Sequence, residues 1–435
     1  MQLAKKKRWI LASAVGSLLS TQSRAYGADW QAETAYRYYS ETDRVTAMEP
    51  VLKLHKTESD GSEIDFSIAY DSLSGASPNG AAVSDEVQTF TSTSGAGAAE
   101  TTTAASGYRS SRDDRDDDDD DDYEGDDEYG GGVREYTVQP GEIPLDPDFS
   151  DDRLSISLQY STPATRTITT AIGGSYSSES DYLSMAINGG LGLSFNRKNT
   201  QLGLNLSLAH DENTPFGGVP TRFSKMSEPS SSGSSESKTI VETLISVTQI
   251  LSPNAVVQLN YSAGMSQGYH TDPYKIITLL DENLDILDYV AENRPDQRTK
   301  HSVFSALKYH AFGDTIDLSY RYMWDDWAIT STTVDVKYRL NLGNVFIQPH
   351  YRHYHQEAAN FYVTQLHSTD DIPDHASADY RLGTLTSTTY GVKVGLDLGK
   401  QQEISFRVES FQQEGESAAA NLDAVISQIN YKVAF

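Results

Sequence analysis

Histidines at alternate positions are the residues of this sequence whose spacing could hold a metal ion. His353 and His355 share one face of a predicted strand, because side chains point alternately to its two sides, and Glu357 follows on that face. Two histidines at this spacing can bind one metal, and His367 and His375 in the next loop could complete the site. The sequence favours the competing interpretation, histidines at the rim of a membrane protein, because nothing in it fixes the loop.

The densest set of acidic side chains lies in residues 112–128, which contain thirteen acids and two arginines. An uninterrupted aspartate run forms the centre of this segment: Asp116, Asp117, Asp118, Asp119, Asp120, Asp121 and Asp122. Such a run repels itself and is typical of a solvated, disordered loop tip. Its carboxylates could also collect Ca²⁺ or another hard divalent cation, but only weakly, since the spaced ligands and the glycine of a formed calcium loop are missing. We expect no other cofactor.

Acids close to aromatic or histidine side chains raise the question of hydrolytic chemistry. Residues 324–327 place two aspartates between two tryptophans, and His210-Asp211 lies in another predicted rim segment. This content resembles that of outer-membrane proteases. However, no Ser–His pair and no paired carboxylates stand at a catalytic spacing, and the tryptophans are more simply explained as anchors at a membrane interface. We therefore predict that the protein is not an enzyme, with a surface hydrolase as the weakest alternative.

The composition narrows the remaining function classes. The 435 residues include 34 basic and 62 acidic side chains, a net charge of −28, and no cysteine. Phosphate binding needs a basic surface, so a nucleic-acid partner is excluded. The lack of cysteine excludes disulfides and thiol catalysis. No apolar run of about 18 residues occurs after the N-terminal segment, which excludes membrane-spanning helices.

The N-terminal segment has the three parts of a signal peptide. Basic residues at 5–8 precede an apolar stretch at 9–20, and a small-residue cleavage site follows at 25–27. We predict that residues 1–27 are removed on export and that residues 28–435 form the mature protein.

Strict alternation of apolar and polar residues dominates the exported chain. In residues 425–435, Tyr431, Val433 and Phe435 share the apolar face, and this ending resembles the closing-strand signal that outer-membrane barrels present to their assembly machinery. The same period-two pattern recurs and predicts sixteen strands. These span residues 30–40, 45–56, 62–72, 152–162, 166–177, 182–196, 200–210, 239–251, 255–268, 299–312, 315–325, 330–342, 344–355, 387–398, 402–413 and 423–435. Fourteen strands is the alternative, because Glu49 and Pro50 weaken the first two.

The connections between the predicted strands fall into two alternating classes. One class is short throughout, whereas the other contains every long connection, at residues 73–151, 211–238, 269–298 and 356–386. Transmembrane barrels have short periplasmic turns, long external loops and an even number of strands. The sequence therefore predicts an all-β, antiparallel up-and-down barrel in the outer membrane of a Gram-negative bacterium, in contact with lipid and lipopolysaccharide.

Charge decides which face of each strand is inside the barrel. In residues 334–342 the reverse assignment would put one acid and two bases into lipid, and each Lys or Arg at the bilayer midplane costs roughly 2–4 kcal/mol. The polar faces therefore line a wet lumen of mixed charge. The predicted lining residues are Asp317, Arg321, Asp335, Lys337, Arg339, Arg352, Lys393, Asp397, Glu403, Arg407, Glu409 and Lys432. About sixteen strands leave an aqueous channel unless a loop plugs it.

Four sequence blocks carry a resemblance to a known family. They are Ser74-Gly75-Ala76-Ser77-Pro78-Asn79-Gly80-Ala81, Gln88-Thr89-Phe90-Thr91, Asp272-Pro273-Tyr274-Lys275 and Glu292-Asn293-Arg294-Pro295. Together with the barrel ending, they resemble a family of proteobacterial outer-membrane proteins defined only as a domain of unknown function. The resemblance implies a barrel over the whole exported chain and supplies no reaction. It also implies a periplasmic redox or export setting, in which a lipoprotein or a redox protein would be the partner.

Two loop segments have predictions of their own. Residues 75–80 form a tight-turn sequence, which we expect to fold against the rim or into the lumen. Residues 275–289 are expected to form an external hairpin or a short helix that could cap the pore.

Two functions remain for a barrel of this kind. The first is a water-filled pore or conduit for small polar solutes or ions, and the second is a non-conducting barrel that holds or displays a periplasmic or surface partner.

Overall fold

Sixteen long β-strands make up the framework of the structure, a computed structural model that describes residues 30–92, 134–399 and 401–435. In chain order they are β1 (Trp30–Glu41), β2 (Thr46–Thr57), β3 (Glu63–Pro78), β4 (Leu145–Pro163), β5 (Ile168–Ser178), β6 (Tyr182–Phe195), β7 (Thr200–Asn213), β8 (Glu236–Ser252), β9 (Ala255–Gly268), β10 (Gln297–Ala311), β11 (Asp314–Asp325), β12 (Thr330–Leu342), β13 (Val345–Gln356), β14 (Leu385–Gly399), β15 (Gln402–Gly415) and β16 (Leu422–Ala434). The predicted strands are confirmed, and the fourteen-strand alternative is wrong.

Each strand pairs antiparallel with its neighbours in sequence, and the last strand pairs with the first. β16 lies beside β1 from Ala434 opposite Gln31 to Ala424 opposite Glu41, so the sheet is a closed barrel. At the end of this seam the backbones of Trp30 and Phe435 exchange two hydrogen bonds, of 3.0 and 2.9 Å. Closure leaves no unpaired edge, which a sheet in a bilayer requires because lipid offers no hydrogen-bond partners.

Pro50 interrupts one ladder of β2 but does not remove the strand from the barrel. Proline has no N–H to donate, and the pairing of β2 with β3 skips from Met48 to Val51. The pairing with β1 continues through this position, where Tyr36 lies opposite Pro50. Glu49, the charged residue that weakened the prediction, points inward and contacts Arg37. The first two strands therefore belong to the barrel, as the prediction of sixteen strands requires.

The two ends of the barrel differ in the length of their connections, as predicted. At the periplasmic end the strands are joined by turns of two to five residues. Phe312 and Gly313 form one of these turns with φ angles of 56° and 91°, the left-handed conformation of a type I′ hairpin turn. The long connections at the external end are residues 79–144, 214–235, 269–296 and 357–384.

The tight turn predicted at residues 75–80 is wrong. β3 continues as a strand to Pro78, and its last two residues pair with Asp146 and Leu145 of β4. Gly75 sits at a register shift with a φ of 126°, and a Cβ there would lie 2.5 Å from the carbonyl oxygen of Arg44. The glycine therefore permits a β-bulge and not a chain reversal.

Short strands at the external end belong to the long connections. Residues 276–280 and 286–291 form a hairpin, which confirms one of the two structures predicted for this segment, and residues 365–367 pair with it in parallel. A second small sheet joins residues 88–92 to 134–138, and a third joins 219–220 to 231–233. No helix in residues 30–92, 134–399 and 401–435 is long and apolar enough to cross a membrane.

The outer surface of the barrel is apolar. In β7, Leu202, Leu204, Leu206 and Leu208 all point outward and keep 37% to 55% of their surface exposed. Comparable rows occur on the other strands, among them Ile316, Leu318, Tyr320 and Tyr322 of β11. Because acyl chains must cover a continuous apolar surface of this kind, the protein is a transmembrane β-barrel.

Two adjacent residues of β11 test the assignment of faces. Leu318 points outward, whereas Ser319 faces the interior opposite Asp335. Leu318→Arg should lower the free energy of unfolding by roughly 2–4 kcal/mol, because it puts a charge near the bilayer midplane. Ser319→Arg should change it by less than about 1 kcal/mol, because the guanidinium reaches water and a carboxylate. Urea unfolding in phospholipid vesicles, followed by the loss of heat-modifiable gel mobility, measures both, and equal effects would contradict the assignment.

Candidate functional site

Contacts between strands that are not neighbours identify the enclosed face of the barrel. His350 on β13 lies 2.7 Å from Glu409 on β15, and Arg339 on β12 lies 3.7 Å from Glu403 on β15. Such contacts can form only on the concave side of a sheet. The side chains that alternate with the exposed apolar rows share this side, and they include all twelve residues predicted to line the lumen: Asp317, Arg321, Asp335, Lys337, Arg339, Arg352, Lys393, Asp397, Glu403, Arg407, Glu409 and Lys432.

His350 is the centre of the largest charged group on this wall. Its Nδ1 lies 2.7 Å from Oε1 of Glu409, and its Nε2 lies 2.9 Å from Oδ2 of Asp335. An ionised carboxylate only accepts hydrogen bonds, so with both acids ionised both ring nitrogens donate, which is the hydrogen-bonding pattern of a protonated imidazole. Lys337 adds a second cation 2.9 Å from Asp335. Gly391 of β14 makes the bridge possible, because a Cβ there would lie 2.4 Å from Cγ of Glu409.

Phe346 forms a cation–π group nearer the periplasmic end. The guanidinium of Arg339 lies 3.5 Å from the centroid of this ring, and the ammonium of Lys393 lies 5.6 Å from it. The ring lies against Gly395, where a Cβ would be 2.0 Å from its Cε1 atom. A glycine on the neighbouring strand therefore lets a large aromatic side chain lie along the wall.

A different sector of the wall is almost without charge. On β5 to β9 most inward residues are glycine, alanine or neutral polar side chains, with the aliphatic side chains of Ile240, Leu244, Ile250 and Val256 among them, and the inward charged residues, Asp211, Glu236, Lys238 and Glu242, lie in the outer half. Gly173 and Gly190 of this sector lie close to asparagine side chains of the next strand, with Cβ distances of 2.9 and 2.6 Å. The charged side chains of the lumen are therefore concentrated on β1 to β4 and on β10 to β16.

The lumen is lined by accessible charged side chains and is not a packed core. Several inward charged side chains keep about a third of their surface accessible: Lys337 (39%), Arg339 (36%), Asp317 (34%), Glu403 (34%) and Arg407 (30%). A buried core would leave such groups almost no accessible surface. Charges that stay solvated inside a closed barrel indicate an aqueous interior.

A layer of packed loops, called the cap below, covers the external mouth and comprises residues 79–92, 214–235, 269–296 and 357–384. Residues 269–296 follow β9, yet the backbone N–H of Ile276 donates to the carbonyl of Asn79 at 3.0 Å and Nζ of Lys275 donates to the carbonyl of Pro78. Pro78 ends β3, which lies six strands away around the ring. The segment therefore crosses the barrel mouth.

Buried ions hold the cap together. Arg294 lies 2.6 Å from Glu292 and 2.8 Å from Asp379, and Arg381 reaches both Asp379 at 2.5 Å and Asp272 at 2.7 Å. Glu292, Arg294 and Asp379 have almost no exposed surface. The network joins two loops that are separated by about a hundred residues of sequence, and a partner lost from it would leave an uncompensated buried charge.

Burial and neighbouring charges shift the acids of this network in opposite directions. Burial opposes ionisation of Asp379, but Arg381 and Arg294 hold the pKa of its carboxyl well below the usual value. Burial likewise opposes ionisation of Asp272, but Lys275 and Arg381 lower its pKa. At Glu292 burial dominates and raises the pKa, although Arg294 acts against it. Two ionised aspartates therefore stabilise the closed cap.

Three of the four sequence blocks that carried the family resemblance meet at this network. Residues 272–275 and 292–295 supply Asp272, Lys275, Glu292 and Arg294, and the end of residues 74–81 packs against residue 276. Sequence reasoning missed the other half of the network, Asp379 and Arg381. The available signal was a pair of opposite charges inside a loop segment rich in alanine, at residues 376–381.

The family model described as "Protein of unknown function (DUF3570)" matches residues 9–432 of the sequence. The chain belongs to this family. The predicted membership in a family of unknown function is therefore confirmed. No curated protein matches the sequence of this family member.

Solved structures show barrels of similar fold. OccK2 (OpdF) from Pseudomonas aeruginosa, solved in complex with glucuronate, is 9% identical, with 94% of this chain and 98% of that chain covered and a TM-score of 0.39. OccD3 (OpdP) from the same organism is 8% identical, with 95% of this chain and 93% of that chain covered and a TM-score of 0.41.

The histidines proposed as metal ligands lie on the outward side of β13 in this family member. His353 contacts Thr388 at 3.4 Å, and His355 contacts Thr386 at 3.0 Å and Glu357 at 3.1 Å. His375 is bound to Asn293 in the cap and does not join them. Within residues 30–92, 134–399 and 401–435, no three His, Cys, Asp or Glu side chains are grouped so that they could hold a metal ion. The run of Asp116 to Asp122 and the predicted signal peptide at 1–27 lie outside the described residues.

The acids considered for hydrolysis make structural contacts. Asp325 binds Arg298 and accepts hydrogen bonds from the backbone of Trp327 and Ile329. Asp326 accepts two bonds of 2.9 Å from the backbone N–H of Thr299. On the other rim segment, Asp211 accepts from Ser184 at 2.7 Å and pairs with Lys238 at 3.5 Å.

The two tryptophans of residues 324–327 have different environments. Trp324 points outward and stacks on His301 and Tyr322, as an interfacial anchor does. The same role predicted for Trp327 is wrong, because this ring is 3% exposed and packs against Phe361 of the cap. Its Nε1 donates to the carbonyl of Gln297 at 2.8 Å, which satisfies the buried donor.

Acidification should open the cap before it unfolds the barrel. The pKa values of Asp379 and Asp272 lie below 3.8 in the folded cap, so their stabilising effect is complete above that ordinary value and is lost as the pH falls through the lower folded values. Glu292 contributes with the opposite sign, because its raised pKa means that protonation relieves an unfavourable buried charge. Hydrogen exchange of residues 286–294, corrected for intrinsic rates between pH 7 and pH 2, should show the loss below about pH 4. Constant protection over this range would contradict the prediction.

Proposed function

We propose that this protein is a water-filled channel of the outer membrane of a Gram-negative bacterium and that it admits small polar or ionic solutes. The observation that carries the proposal is the solvated charge on the enclosed face, where five ionisable side chains keep 30% to 39% of their surface accessible. A barrel of sixteen strands is wide enough for an aqueous path. A lumen of charged and hydroxyl groups suits solutes that cannot cross lipid.

The proposed location follows from the physics of the barrel wall. An antiparallel barrel with an apolar exterior and a polar interior is the form in which bacterial outer-membrane proteins satisfy all their backbone groups. The predicted signal peptide supports export to this membrane, and Tyr431, Val433 and Phe435 on the closing strand would be recognised by the assembly machinery. Tyr431 and Phe435 are exposed on the membrane-facing side, where such recognition can occur.

The cap makes the channel a gated one in this proposal. Residues 269–296 cross the mouth, and their buried charges pair with Asp379 and Arg381 on the loop that follows β13. Solute entering from outside therefore requires the cap to move. The interactions that must break are ionic, so opening depends on charge and on pH.

The second candidate is a non-conducting barrel that holds or displays a periplasmic or surface partner. The same cap favours it, because loops that cross a mouth and join through buried ion pairs also describe a sealed barrel. A periplasmic lipoprotein or redox protein is the partner class in this case. Electrical measurements distinguish a cap that opens from one that seals.

Single-channel recording in planar bilayers tests the channel. Asp379→Asn should raise the open probability strongly, because the closed cap loses about 3–5 kcal/mol when Arg294 and Arg381 lose their shared carboxylate. Asp371→Asn is the matched control, since this exposed aspartate lies in the same loop and should leave the open probability unchanged. Ohmic steps that respond in this way support the channel. Silent bilayers for all three proteins contradict it and favour the partner-holding barrel, for which co-purification from detergent-solubilised membranes is the next measurement.

A further inference from the structure

We propose that Arg321 and Arg352 form a binding site for the anionic oxygens of a small solute, a carboxylate or a phosphate, directly beneath the cap. The inference rests on the proposed channel function and names the class of solute that the lumen would select. It is carried by two arginines without acidic partners in a lumen where several other cations contact acids.

The two arginines lie in the outer half of the lumen, close below the cap. On β11, Arg321 is one inward position below Met323, which packs against a buried cluster that contains Trp327 and the cap residue Phe361. On β13, Arg352 is two inward positions below Gln356, whose amide donates to the carbonyls of Arg381 and Gly383 in the cap at 3.0 Å each. A solute that passes the cap therefore meets these side chains in the outer half of the lumen.

The register of the sheet places the two arginines near each other on the inward face. β12 alone separates their strands, with Thr333 of β12 opposite Arg321 and Asp335 of β12 opposite Arg352. Thr333 lies on the inward face between them and adds a hydroxyl donor. Two like charges placed together repel, and an anion between them would relieve that repulsion.

Neither guanidinium has an anion of its own. Within residues 30–92, 134–399 and 401–435, no ion pair and no hydrogen bond of either side chain is present, and Arg321 has only the ring of Phe304 at 5.6 Å. Asp335 lies directly across from Arg352, but its carboxylate is used by His350 and Lys337. The nearest acid is therefore already neutralised.

Other cations on the inward face of the barrel have acidic neighbours. Arg37 contacts Glu49, Arg153 contacts Asp71, and Arg339 lies 3.7 Å from Glu403. Lys432 has the acids Glu33 and Glu403 as its cross-strand neighbours. These cations have acids in contact or directly opposite, whereas the two arginines under the cap form no ion pair and leave positive charge facing the lumen.

The chemistry of arginine identifies the ligand. A guanidinium is planar, stays charged at every relevant pH, and offers parallel N–H donors that match two oxygens of a carboxylate or phosphate. Two such groups around one small space suit a ligand with several negative oxygens. Neutral solutes of the same size would leave both charges unmatched and gain nothing from the site.

Ligand binding to the detergent-solubilised full chain tests the site without requiring conduction. The readout is the temperature at which the folded, fast-migrating gel band is lost, measured against increasing succinate, inorganic phosphate or, as a neutral probe, glycerol. A ligand that binds only the folded barrel raises this temperature in a saturable way. We expect saturation with succinate, phosphate or both, and none with glycerol. Saturation with only one of the anions identifies whether a carboxylate or a phosphate is the source of the bound oxygens.

Three variants separate recognition from bulk charge. Arg321→Gln with Arg352→Gln should raise the half-saturating concentration by at least about tenfold, because charge-assisted hydrogen bonds are lost. Arg321→Lys with Arg352→Lys keeps the charge but removes the planar donors, and should weaken binding by an intermediate factor. Arg407→Gln is the matched control, since it removes one lumen cation that already contacts Gln428 and Glu409. It should change the half-saturating concentration less than about twofold.

The outcomes distinguish this site from the channel itself. Wild-type protein that binds no anion, or binding that survives the double glutamine substitution, would overturn the proposal. Equal weakening by Arg407→Gln would also overturn it, because the effect would then come from net charge. Saturable binding that depends on both arginines, combined with silent bilayers, would support the anion site and contradict only the channel.

Discussion

The pairing of every backbone N–H and C=O within a closed ring is the constraint on which the rest of the structure depends. Lipid offers no hydrogen-bond partners, so the sixteen strands must form a barrel without an edge. Alternation along each strand then assigns one set of side chains to acyl chains and the other set to an enclosed space. The polar lumen follows from the closure, and so does the confinement of irregular structure to the two ends.

The lumen accommodates many charges because small residues on neighbouring strands make room for large ones. Gly391 leaves space for the carboxylate of Glu409 to reach His350, and Gly395 leaves space for the ring of Phe346. These side chains lie along the wall and neutralise one another there. Charge is also distributed unevenly around the interior, with few charged side chains on β5 to β9 and more on the strands at both sides of this sector.

The strands were predictable from sequence because each carries its own signal, an apolar row and a polar row of period two. Even β2 was recovered, although Pro50 breaks one of its ladders. The faces were predictable for the same reason, since Asp335, Lys337 and Arg339 cannot lie in lipid. The turn predicted at residues 75–80 was wrong because Pro, Asn and Gly favour turns in isolation. Pairing with β4 keeps this segment extended to Pro78.

The cap was not predictable in the same way, because it depends on contacts between loops that are far apart in sequence. Arg294 and Asp379 are 85 residues apart in sequence, and they meet only because the barrel wall holds their two loops side by side. Trp327 illustrates the difficulty. Trp324 lies at the membrane surface, whereas Trp327, three positions later on the same rim, is buried against the cap. The role of His350 was equally hidden, because its carboxylates come from β12 and β15.

The seam between β1 and β16 determines when the molecule can become complete. Residues 31–41 pair on one side with residues 424–434, which lie almost the full length of the chain away. Until that last segment arrives, the first strand keeps a bare row of amides and carbonyls that any other extended polypeptide could occupy. Ordering so distant a contact is slow, because the intervening chain must first be brought into place. The open edge of β1 therefore needs protection until β16 pairs with it, and closure of the barrel at this seam is the last step of folding.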